Sequence, residues 1–457
     1  MKVNDVLSLD LADLAIGGKS LARHDGRVVF VDRGLPGDHV RARLTRVRHS
    51  YAEARLESIE EHSADRVPTD CPHVHQCGGC RLLDLAYPVQ CRIKERHVRE
   101  ALEHLAGIAA PPVRSLVPAP EIFGYRNKME FSFHPGPQGA VLGLHERGTF
   151  DRVFSLATCL LPSALTVEIV RLTQRFAMDH GWAAYHARTH QGVVRFLTVR
   201  HLPATDQCGV SLVAASDAVP GIEQWARALA ALSPTVRTVS LLLNRGRANV
   251  AVGEEERVLH GEGVLLERVL GLEFEVSAGA FLQTNSRQAG TLYETALRAA
   301  EIGSHETVLD LYCGTGTLTL MCARHARAAV GVESAGTAVA CARRNAGRNR
   351  VTNARFVEGE ARRVLREWAR GERADGVQPA VVVVDPPRAG LHPRVVARVT
   401  ELAPRRVVYV SCNPASLARD VKDFAARGYA LAEVTPIDMF PHTPHIECVA
   451  RLDRAAA

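Results

Sequence analysis

Three side chains that can move protons or form covalent bonds follow apolar runs in the C-terminal third of the sequence. Asp385 ends the run in PAVVVVDPPRAG, Cys412 ends the run in VVYVSCNP, and Glu447 stands in the otherwise apolar PHIECVARL. A thiolate can add to an electron-poor carbon, and a nearby carboxylate can accept a proton. Each residue also has an ordinary structural interpretation, as a helix cap, a small core side chain or a paired core carboxylate. Asp385 and Cys412 both end predicted parallel strands, so we expect them over one crevice.

A glycine-containing loop upstream predicts a nucleotide-type ligand. The stretch VLDLYCGTGTLTL, residues 308–320, has an apolar strand that ends near Asp310 and a turn that contains Gly314 and Gly316. The third glycine of a dinucleotide-binding fingerprint is missing, and the carboxylate of Asp310 would repel a pyrophosphate. Asp310 could instead hold a cationic amino-acid group, and Glu333, which ends the next strand, could bind ribose hydroxyls. The loop therefore favours S-adenosylmethionine over NAD, and a glycine turn that binds nothing is the alternative.

A methyl donor beside the three reactive side chains implies a specific reaction. The Cys412 thiolate would add to C6 of a uracil, and this addition makes C5 nucleophilic. C5 would then take the methyl group, and a carboxylate would remove the displaced proton so that the thiol can leave.

A cysteine cluster in CPHVHQCGGC predicts a metal centre. Cys71, Cys77 and Cys80 have the spacing C-x5-C-x2-C, and two glycines allow a tight turn between two of them. A fourth ligand would come from Cys159 or Cys91. Four cysteines suit zinc as well as an iron–sulfur cluster, so the spacing leaves both open. Three unrelated core cysteines are the structural alternative.

The whole sequence has the composition of a globular protein with several domains. Its 457 residues correspond to about three domains, and its net charge of +6 suits a polyanionic partner without requiring one. No apolar run approaches the ~18 residues of a membrane-spanning helix, and the N-terminus MKVNDVLSLDLADL is acidic where a signal peptide would be basic. We therefore expect a cytoplasmic protein without a membrane partner. In that reducing compartment the 11 cysteines would be ligands, a nucleophile or core residues.

Hydrophobic patterning divides the sequence into three predicted units. Residues 1–62 contain short β-type runs separated by turns and predict a small barrel, whose arginines around Tyr51 would contact a nucleic-acid backbone or form a solvated strand face. Residues 63–270 hold the cysteine cluster, a helix and further β-type segments. Residues 271–457 repeat strand, glycine turn and amphipathic helix, which predicts an α/β unit with a parallel sheet and helices on both faces.

Motifs in this order resemble the RNA 5-methyluridine, or uracil-5-, methyltransferase family, most closely its members with a TRAM domain and an iron–sulfur cluster. The motifs are GLPGD, CPHVHQCGGC, YRNKMEFSF, FLQTN, DLYCGTG, DPPRAG, SCNP and DMFPHTPHIECVARL, and they cover nearly the whole chain. The resemblance implies an α/β protein with a C-terminal class I methyltransferase domain of Rossmann-like fold. It further implies an N-terminal TRAM or OB-like β-barrel and a central α+β iron–sulfur domain.

The resemblance also implies roles for individual residues. Cys412 would be the nucleophile and Glu447 the proton acceptor. The S-adenosylmethionine site would be lined by Gln283, Tyr312, Thr317, Glu333, Glu360 and Asp385. Thr317 and Glu360 stand where the family often has Asn and Asp or Asn, respectively. A [4Fe–4S] cluster would be held by Cys71, Cys77, Cys80 and Cys159, with Cys91 a bystander.

The function implied by the resemblance is methylation of uridine C5 in structured RNA through a covalent bond between Cys412 and C6. The domain composition favours 23S ribosomal RNA, and hence rRNA processing, over tRNA, because the resembled bacterial tRNA enzymes typically lack the barrel and the cluster. The target base must be unstacked or flipped out, and Arg126, Asn127 and Lys128 are candidates for holding the surrounding RNA. We expect a monomer. The competing hypotheses are tRNA uridine methylation, a metal-containing NAD-linked oxidoreductase and an RNA-binding protein without catalysis.

Overall fold

A computed structural model of the protein describes residues 1–137, 139–373 and 375–455, so the predicted end of the last unit at residue 457 lies outside the described residues. The N-terminal strands are β1 Val6–Asp10, β2 Asp13–Leu14, β3 Ser20–His24, β4 Arg27–Val31, β5 His39–Val47 and β6 Tyr51–Glu61. They form one curled sheet with the order β1-β5-β6-β4-β3-β2, and β1 lies against β3. Alternating residues such as Val29, Val40 and Ala52 point inward and close a small core.

A helix separates this barrel from the next sheet. Helix α1, Tyr87–Ala101, has Pro88 in its first turn, where the missing backbone donor costs nothing. It continues into the π-helical turn Leu102–Ala106 and ends at Gly107, whose φ is +76°. Its buried residues recur at helical spacing, as the sequence pattern predicts.

A seven-stranded sheet forms the middle of the chain. Its elements are β7 Lys128–Gly136, β8 Gly139–His145, β9 Val153–Ser155, α2 Ala164–Asp179, β10 Val194–Leu202, β11 Gln207–Ala214, α3 Ile222–Leu232, β12 Val236–Leu243 and β13 Glu255–His260. The strand order is β13-β12-β11-β10-β7-β8-β9, with only β11 and β12 parallel. Helices α2 and α3 cover one face, where Trp182 and Trp225 meet edge to face.

A β-hairpin joins the middle of the chain to its C-terminal part. Its strands are β14 Val264–Val269 and β15 Leu272–Ser277, and β14 packs on strands β10, β11 and β12. The predicted limit between residues 270 and 271 falls in the turn of this hairpin. The hairpin therefore contacts both parts of the chain, and the division at residues 62 and 270 stays a prediction.

The C-terminal part is a seven-stranded sheet between two layers of helices. Its elements are α4 Ser286–Ala300, β16 Thr307–Leu311, α5 Thr317–Ala323, β17 Ala328–Glu333, α6 Gly336–Arg348, β18 Ala354–Glu358, α7 Ala361–Ala369, β19 Val381–Val384, α8 Pro393–Glu401, β20 Arg406–Ser411, α9 Pro414–Ala425, β21 Tyr429–Ile437 and β22 Glu447–Arg454. The strand order is β18-β17-β16-β19-β20-β22-β21, and β22 is antiparallel to both of its neighbours. Helices α4, α5 and α6 cover one face, and α7, α8 and α9 cover the other.

Helix α1 packs on this C-terminal sheet although it precedes the central one in the chain. Val98, Ala101 and Leu102 join the same apolar core as α9, and the segment after α1 pairs at Val113 and Val117 with the edge strand β21. Within the described residues, none of the helices is long and apolar enough to cross a membrane.

Candidate active site

The reactive side chains lie at the carboxyl edge of the C-terminal sheet, where its strand order reverses. Strands β16 and β19 are neighbours at this point, and each leads into a turn at the same edge, residues 312–316 and residues 385–390. The next strand, β20, ends at Ser411 and is followed by Cys412. This edge is where ligands bind in open α/β sheets.

The antiparallel pairing of β20 with β22 sets Cys412 beside Glu447. Ser411 faces Cys448 in the ladder, so the next pair along is Cys412 with Glu447. Glu447 is the first residue of β22 and is only 4% exposed, whereas Cys412 is half-buried. A carboxylate therefore stands next to a thiol at the point where β20 ends.

The three reactive side chains have no partners in the described part of the chain. No side-chain hydrogen bond or ion pair engages the Cys412 thiol or the carboxylates of Asp385 and Glu447. A buried carboxylate without a partner is costly, and such groups concentrate at functional sites. Their shared position at the sheet edge favours a role in catalysis or ligand binding over a structural role.

Burial raises the pKa of all three groups. It brings the pKa of Asp385 to about 7. The pKa of Glu447 lies well above its ordinary value, first because of burial and then because of the Asp385 charge, and Arg388 opposes the shift. The pKa of the Cys412 thiol rises to about 11 through burial, with Glu447 adding to the effect. The crevice therefore disfavours negative charge until a cation enters it.

Arg388 completes the site and was not assigned a role from the sequence. It lies in the turn that Asp385 begins, and its charge lowers the pKa of Cys412 and Glu447 against the effect of burial. The Asn413 amide donates to the Arg388 carbonyl oxygen at 3.0 Å and so joins the turns after β19 and β20. Arg388 Nη2 also lies 3.3 Å from His445 Nδ1. The prolines of DPPR indicate a fixed turn, but no sequence signal shows this link between two turns.

The glycine loop after β16 makes a close turn. Gly316 has a φ of +87°, and a Cβ there would lie 2.9 Å from the Phe356 ring. Tyr312 adopts a φ of +67°, which is uncommon for a residue other than glycine. Asp310 is 1% exposed; its Oδ2 accepts a 2.6 Å hydrogen bond from Thr319 Oγ1, and its Oδ1 has no partner among the described residues. Burial raises the pKa of Asp310 to about 7, so this carboxyl resembles Asp385.

Three of the predicted cofactor residues lie near one another. Glu333 ends β17, and its Oε2 accepts a hydrogen bond from the Gly314 N–H at 3.2 Å. Burial raises the pKa of Tyr312 to about 12, and the charges of Glu360 and Glu333 contribute to the rise. Glu360 precedes α7, is mostly exposed and forms an ion pair of 3.4 Å with Arg362. The structure therefore groups Tyr312, Glu333 and Glu360 around the glycine loop.

Apart from Asp385, the two remaining predicted cofactor residues lie on different elements. Thr317 is the buried first residue of α5, at the end of the glycine loop. Gln283 is buried in the loop before α4, and its backbone carbonyl accepts a hydrogen bond from the Asn127 amide at 2.9 Å. Asn285 in the same loop donates through Nδ2 to the Met439 carbonyl oxygen at 3.1 Å. In the described residues no hydrogen bond links the Gln283 side chain to the other predicted cofactor residues.

Comparison with known families decides the class of the protein. Residues 204–455 match the family model described as tRNA (Uracil-5-)-methyltransferase, and residues 2–56 match the TRAM domain. The chain belongs to the tRNA (uracil-5-)-methyltransferase family. It is an RNA methyltransferase, as the motifs indicate, and the TRAM match confirms the predicted N-terminal barrel. This membership favours methyl transfer over the alternative of a metal-containing, NAD-linked oxidoreductase.

Relatives of this methyltransferase extend over its whole length. It is 41% identical over 451 residues to an uncharacterized RNA methyltransferase of Nitratidesulfovibrio vulgaris, which covers 98% of this chain and 95% of the relative. It is 38% identical over 471 residues to one of Chlorobaculum tepidum, which covers 99% and 97%. The crystal structure of the Pyrococcus abyssi tRNA (uracil-54, C5)-methyltransferase with S-adenosyl-L-homocysteine superposes with a TM-score of 0.78 at 28% identity, over 97% of this chain and 99% of that one. The predicted α/β methyltransferase fold is confirmed.

The four cysteines predicted to bind a cluster in this methyltransferase line one small cavity. They are Cys71, Cys77, Cys80 and Cys159, and apolar side chains complete the lining. Burial raises the pKa of Cys80, and the charges of the other three thiolates would raise it further. Across the described ranges, no group of three or more His, Cys, Asp or Glu side chains is arranged to hold a metal ion. Cys91 lies instead on α1, near the Tyr87 hydroxyl.

A larger crevice beside the cysteine cavity is lined by arginines that lack carboxylate partners. Arg81, Arg126 and Arg200 donate to backbone carbonyl oxygens, and none of the three forms an ion pair within the described part of the chain. Arg200 is 4% exposed, and its Nη1 has no partner among the described residues. Phe281 is 68% exposed on the wall of the crevice, and Thr443, which precedes Glu447 by four residues, is another lining residue. Lys128 and two carboxylates, Glu130 and Glu146, also line the crevice, so its charged side chains are net positive.

The three residues predicted from the sequence to hold RNA differ in their environment. Arg126 lines the crevice and donates to a backbone carbonyl. Lys128 also lines it but pairs with Glu130 at 2.8 Å. Asn127 is 3% exposed and holds the loop of Gln283. Arg200 was missed because it lies in an apolar strand, where the sequence pattern gives no sign that its guanidinium faces a crevice.

Proposed function

We propose that this protein transfers a methyl group from S-adenosylmethionine to C5 of a uridine in structured RNA. One observation carries the proposal: Cys412 and Glu447 are adjacent at the sheet edge, close to Asp385, and none of the three has a side-chain partner in the described residues. Addition to C6 requires a nucleophile, and removal of the C5 proton requires a base beside it. Membership of an RNA uracil-5-methyltransferase family supports the same reaction class.

The acidic crevice suits a cationic donor. Asp310 and Asp385 both have a pKa of about 7, and Glu333 ends the strand beside the glycine loop. The sulfonium and ammonium groups of S-adenosylmethionine would favour the charged forms of these carboxylates, whereas a pyrophosphate would be repelled. The P. abyssi enzyme was solved with S-adenosyl-L-homocysteine, the demethylated form of this donor. We assign Glu333 to the ribose hydroxyls and propose that the remaining lining residues are Gln283, Tyr312, Thr317, Glu360 and Asp385.

In the proposed reaction the Cys412 thiolate bonds to C6, and the electron pair of the C5–C6 double bond shifts toward C5 and the C4 carbonyl. C5 then bonds to the methyl carbon of the donor, and the electron pair of the broken C–S bond stays on sulfur. Glu447 takes the proton from C5, the double bond re-forms, and the thiolate leaves. One methyl group replaces one proton, and Cys412 is regenerated.

Arg388 and a bound donor would favour the Cys412 thiolate against burial and the charges of Glu447 and Asp385. With a pKa of about 11, the free thiol is protonated at neutral pH, and the Arg388 charge favours the thiolate. A bound sulfonium adds a second positive charge to the crevice. Asp385, with a pKa of about 7, can either donate or accept a hydrogen bond to the polar edge of the target base.

The arginine-lined crevice is our candidate for holding the RNA around the target uridine. Arg81, Arg126 and Arg200 form no direct ion pair within the described chain, although the charges of Glu130 and Glu267 act on Arg200, and guanidinium groups of this kind contact phosphates. The exposed ring of Phe281 can stack on an unpaired base. A uridine must leave its stack to reach Cys412, so the crevice would hold the strand from which the base is flipped.

Two RNA classes are candidate substrates. The barrel and the cysteine cluster favour 23S ribosomal RNA by resemblance, and this remains our first choice. The similarity to a tRNA (uracil-54, C5)-methyltransferase over 97% of the chain supports tRNA as the alternative. The architecture is compatible with both, so methyl transfer to each RNA class must be measured.

The function is tested by transfer of a labelled methyl group to two unmodified transcripts, a set of 23S rRNA fragments and a tRNA pool. We expect label in 5-methyluridine after nucleoside digestion, and we expect none with Cys412→Ala. Label in the rRNA fragments supports the first choice, and label in tRNA moves the substrate but keeps the chemistry. No label in either RNA would favour a non-catalytic RNA-binding protein and contradict the proposal.

We further propose that Cys71, Cys77, Cys80 and Cys159 hold a [4Fe–4S] cluster. In support, all four cysteines line one cavity. A cluster needs its thiolates further apart than a single ion does, so a cluster is compatible with the lack of a single-ion site among the described residues. Protein purified without oxygen should contain about four iron and four sulfide per chain, with visible absorption from thiolate–iron bonds. Cys77→Ser should lose iron, and Cys91→Ser, the matched control on α1, should keep it. One bound zinc and no iron would contradict the cluster.

A further inference from the structure

The segment between β21 and β22, residues 438–446, leads directly into Glu447. Because Glu447 is the first residue of β22, the conformation of this segment sets where the carboxylate stands relative to Cys412. The segment has little regular structure of its own, and His442 within it has a φ of +66°, an uncommon conformation outside glycine. Contacts from other parts of the chain must therefore fix it.

Two buried side chains of α1 supply many of these contacts. Lys94 Nζ donates to Asp438 Oδ1 at 2.7 Å and to the Phe440 carbonyl oxygen at 3.0 Å, and Lys94 and Asp438 are 1% and 0% exposed. Gln90 Oε1 accepts a hydrogen bond from the His442 N–H at 2.9 Å. Both residues are far from Glu447 in sequence, yet they bind the segment that carries it.

Gln90 also connects the segment to the residues just after the cysteine cluster. Its Nε2 donates to the carbonyl oxygens of Leu82 and Leu85 at 2.8 and 2.7 Å, and the Leu82 N–H donates to the His442 carbonyl oxygen at 3.0 Å. Gln90 is fully buried, so water cannot replace these bonds. The segment is thus held on the face of α1 by hydrogen bonds whose donors and acceptors are matched.

Helix α1 also braces the other half of the reactive pair. Its last turn packs against α9, which begins two residues after Cys412. One helix therefore contacts both the element that follows the thiol and the segment that precedes the carboxylate. A small displacement on this face would change the separation of Cys412 and Glu447 without changing the cofactor residues on β17 and the glycine loop.

We propose that Gln90 and Lys94 are positioning residues for removal of the C5 proton, acting through the segment 438–446 on Glu447. The inference rests on the proposed function. Attack of Cys412 on C6 and transfer of the methyl group precede the step in which Glu447 takes the C5 proton, the C5–C6 double bond re-forms and the C6–sulfur bond breaks. Loss of positioning therefore slows the last step and leaves the methylated base bonded to Cys412.

The test uses the full-length protein, an unmodified RNA transcript that the wild type methylates, and denaturing electrophoresis to detect the covalent protein–RNA complex. Gln90→Leu keeps the ion pair, and the pair Lys94→Met with Asp438→Asn removes both charges together, so that neither variant leaves an unpaired buried charge. Arg92→Met, on the exposed face of the same helix, is the matched control. Thermal melting is measured in parallel.

We expect both positioning variants to lose at least ~10-fold in turnover while the fraction of covalent complex rises, as it should for Glu447→Gln. The control should behave like the wild type. Wild-type turnover in both variants would overturn the inference. Lost turnover without covalent complex would also overturn it, because that result indicates a structural role only. A wild type that forms neither 5-methyluridine nor a covalent complex would overturn the proposed function, and this inference with it.

Discussion

Two buried carboxylates, one at the start of the segment 438–446 and one just after it, differ in whether they have a side-chain partner. Asp438 is fully buried and bonds at 2.7 Å to the equally buried Lys94, and its Oδ1 also accepts the Phe440 N–H at 3.1 Å. Glu447 is 4% exposed and has no side-chain partner among the described residues. Eight residues thus lie between a paired carboxylate and a carboxyl group without a partner.

This difference distinguishes a structural carboxylate from one that we propose to be catalytic. A buried ion pair fixes two elements relative to each other, and removal of one partner leaves an uncompensated charge. A buried carboxylate without a partner destabilises the fold, and in the proposed reaction Glu447, next to Cys412, accepts the proton from C5 of the base. Mutations at the two ends should therefore have opposite consequences, which the following predictions examine.

The largest expected effect is the loss of activity when Cys412, next to Glu447, is replaced. Cys412→Ala should lower methyl transfer by about 10⁴-fold or more, because the covalent bond to C6 cannot form. Its thermal melting should stay close to that of the wild type, since the half-buried thiol has no partner to lose. Labelled methyl transfer and melting curves measure the two effects, with Cys91→Ala as the control. Retained transfer would remove Cys412 from the mechanism.

The next effect is on stability at the paired end. Asp438→Asn leaves Lys94 buried without a counter-charge, which costs about 3–5 kcal/mol and lowers the melting temperature of the 457-residue chain by roughly 3–5 °C. Glu447→Gln, at the other end, should lower it by less than about 2 °C or raise it, because Glu447 has no side-chain partner to lose among the described residues. Thermal unfolding of both variants at pH 7.5 checks the contrast. Equal losses would mean that the two carboxylates are buried in the same way.

A smaller effect should appear in the pH dependence of stability. Folding raises the pKa of Asp310 from 3.8 to about 7, so its ionisation costs nothing below 3.8 and progressively more as the pH rises through 7. Asp310→Asn removes this cost, so relative to the wild type the variant should gain about 2.5 kcal/mol between pH 5 and pH 8. Denaturant unfolding at the two pH values measures the gain. A constant difference would mean that Asp310 is not desolvated as the structure indicates.

The smallest expected effect is a difference between two ligands of the proposed donor site at the sheet edge. S-adenosylmethionine carries a sulfonium charge that S-adenosylhomocysteine lacks. Because the crevice carboxyls Asp310 and Asp385 ionise near pH 7, stabilisation by S-adenosylmethionine should grow between pH 5.5 and pH 8 by about 1 kcal/mol more than that by S-adenosylhomocysteine. Ligand-dependent melting at both pH values gives the comparison. Identical pH profiles would contradict an acidic donor site.

The elements of the fold could be predicted because their signals are local. The alternation of the barrel strands, the glycine turn after β16 and the proline turn after β19 each appear within about ten residues, and the carboxyl-edge rule then places Asp385 and Cys412 in one crevice. The antiparallel register that brings Glu447 to Cys412 depends on pairing across the whole segment 412–447, which periodicity does not specify.

Contacts between distant residues could not be predicted. Lys94 and Asp438 are 344 positions apart, and nothing in the pattern of α1 shows that its lysine faces an aspartate near the end of the chain. The link between Arg388 and His445 and the convergence of three arginines on one crevice have the same origin. Such contacts arise from the docking of whole elements, for which a single sequence carries no local signal.

The most direct test uses RNA in which 5-fluorouridine replaces uridine. After attack at C6 and methyl transfer, C5 carries fluorine and a methyl group but no proton, so Glu447 cannot complete the reaction and the bond to sulfur persists. Trypsin should release residues 407–419 as one peptide, and mass spectrometry should locate a methylated fluorouridine nucleotide on Cys412. An adduct on another cysteine, or none in protein that is active on uridine RNA, would contradict the mechanism.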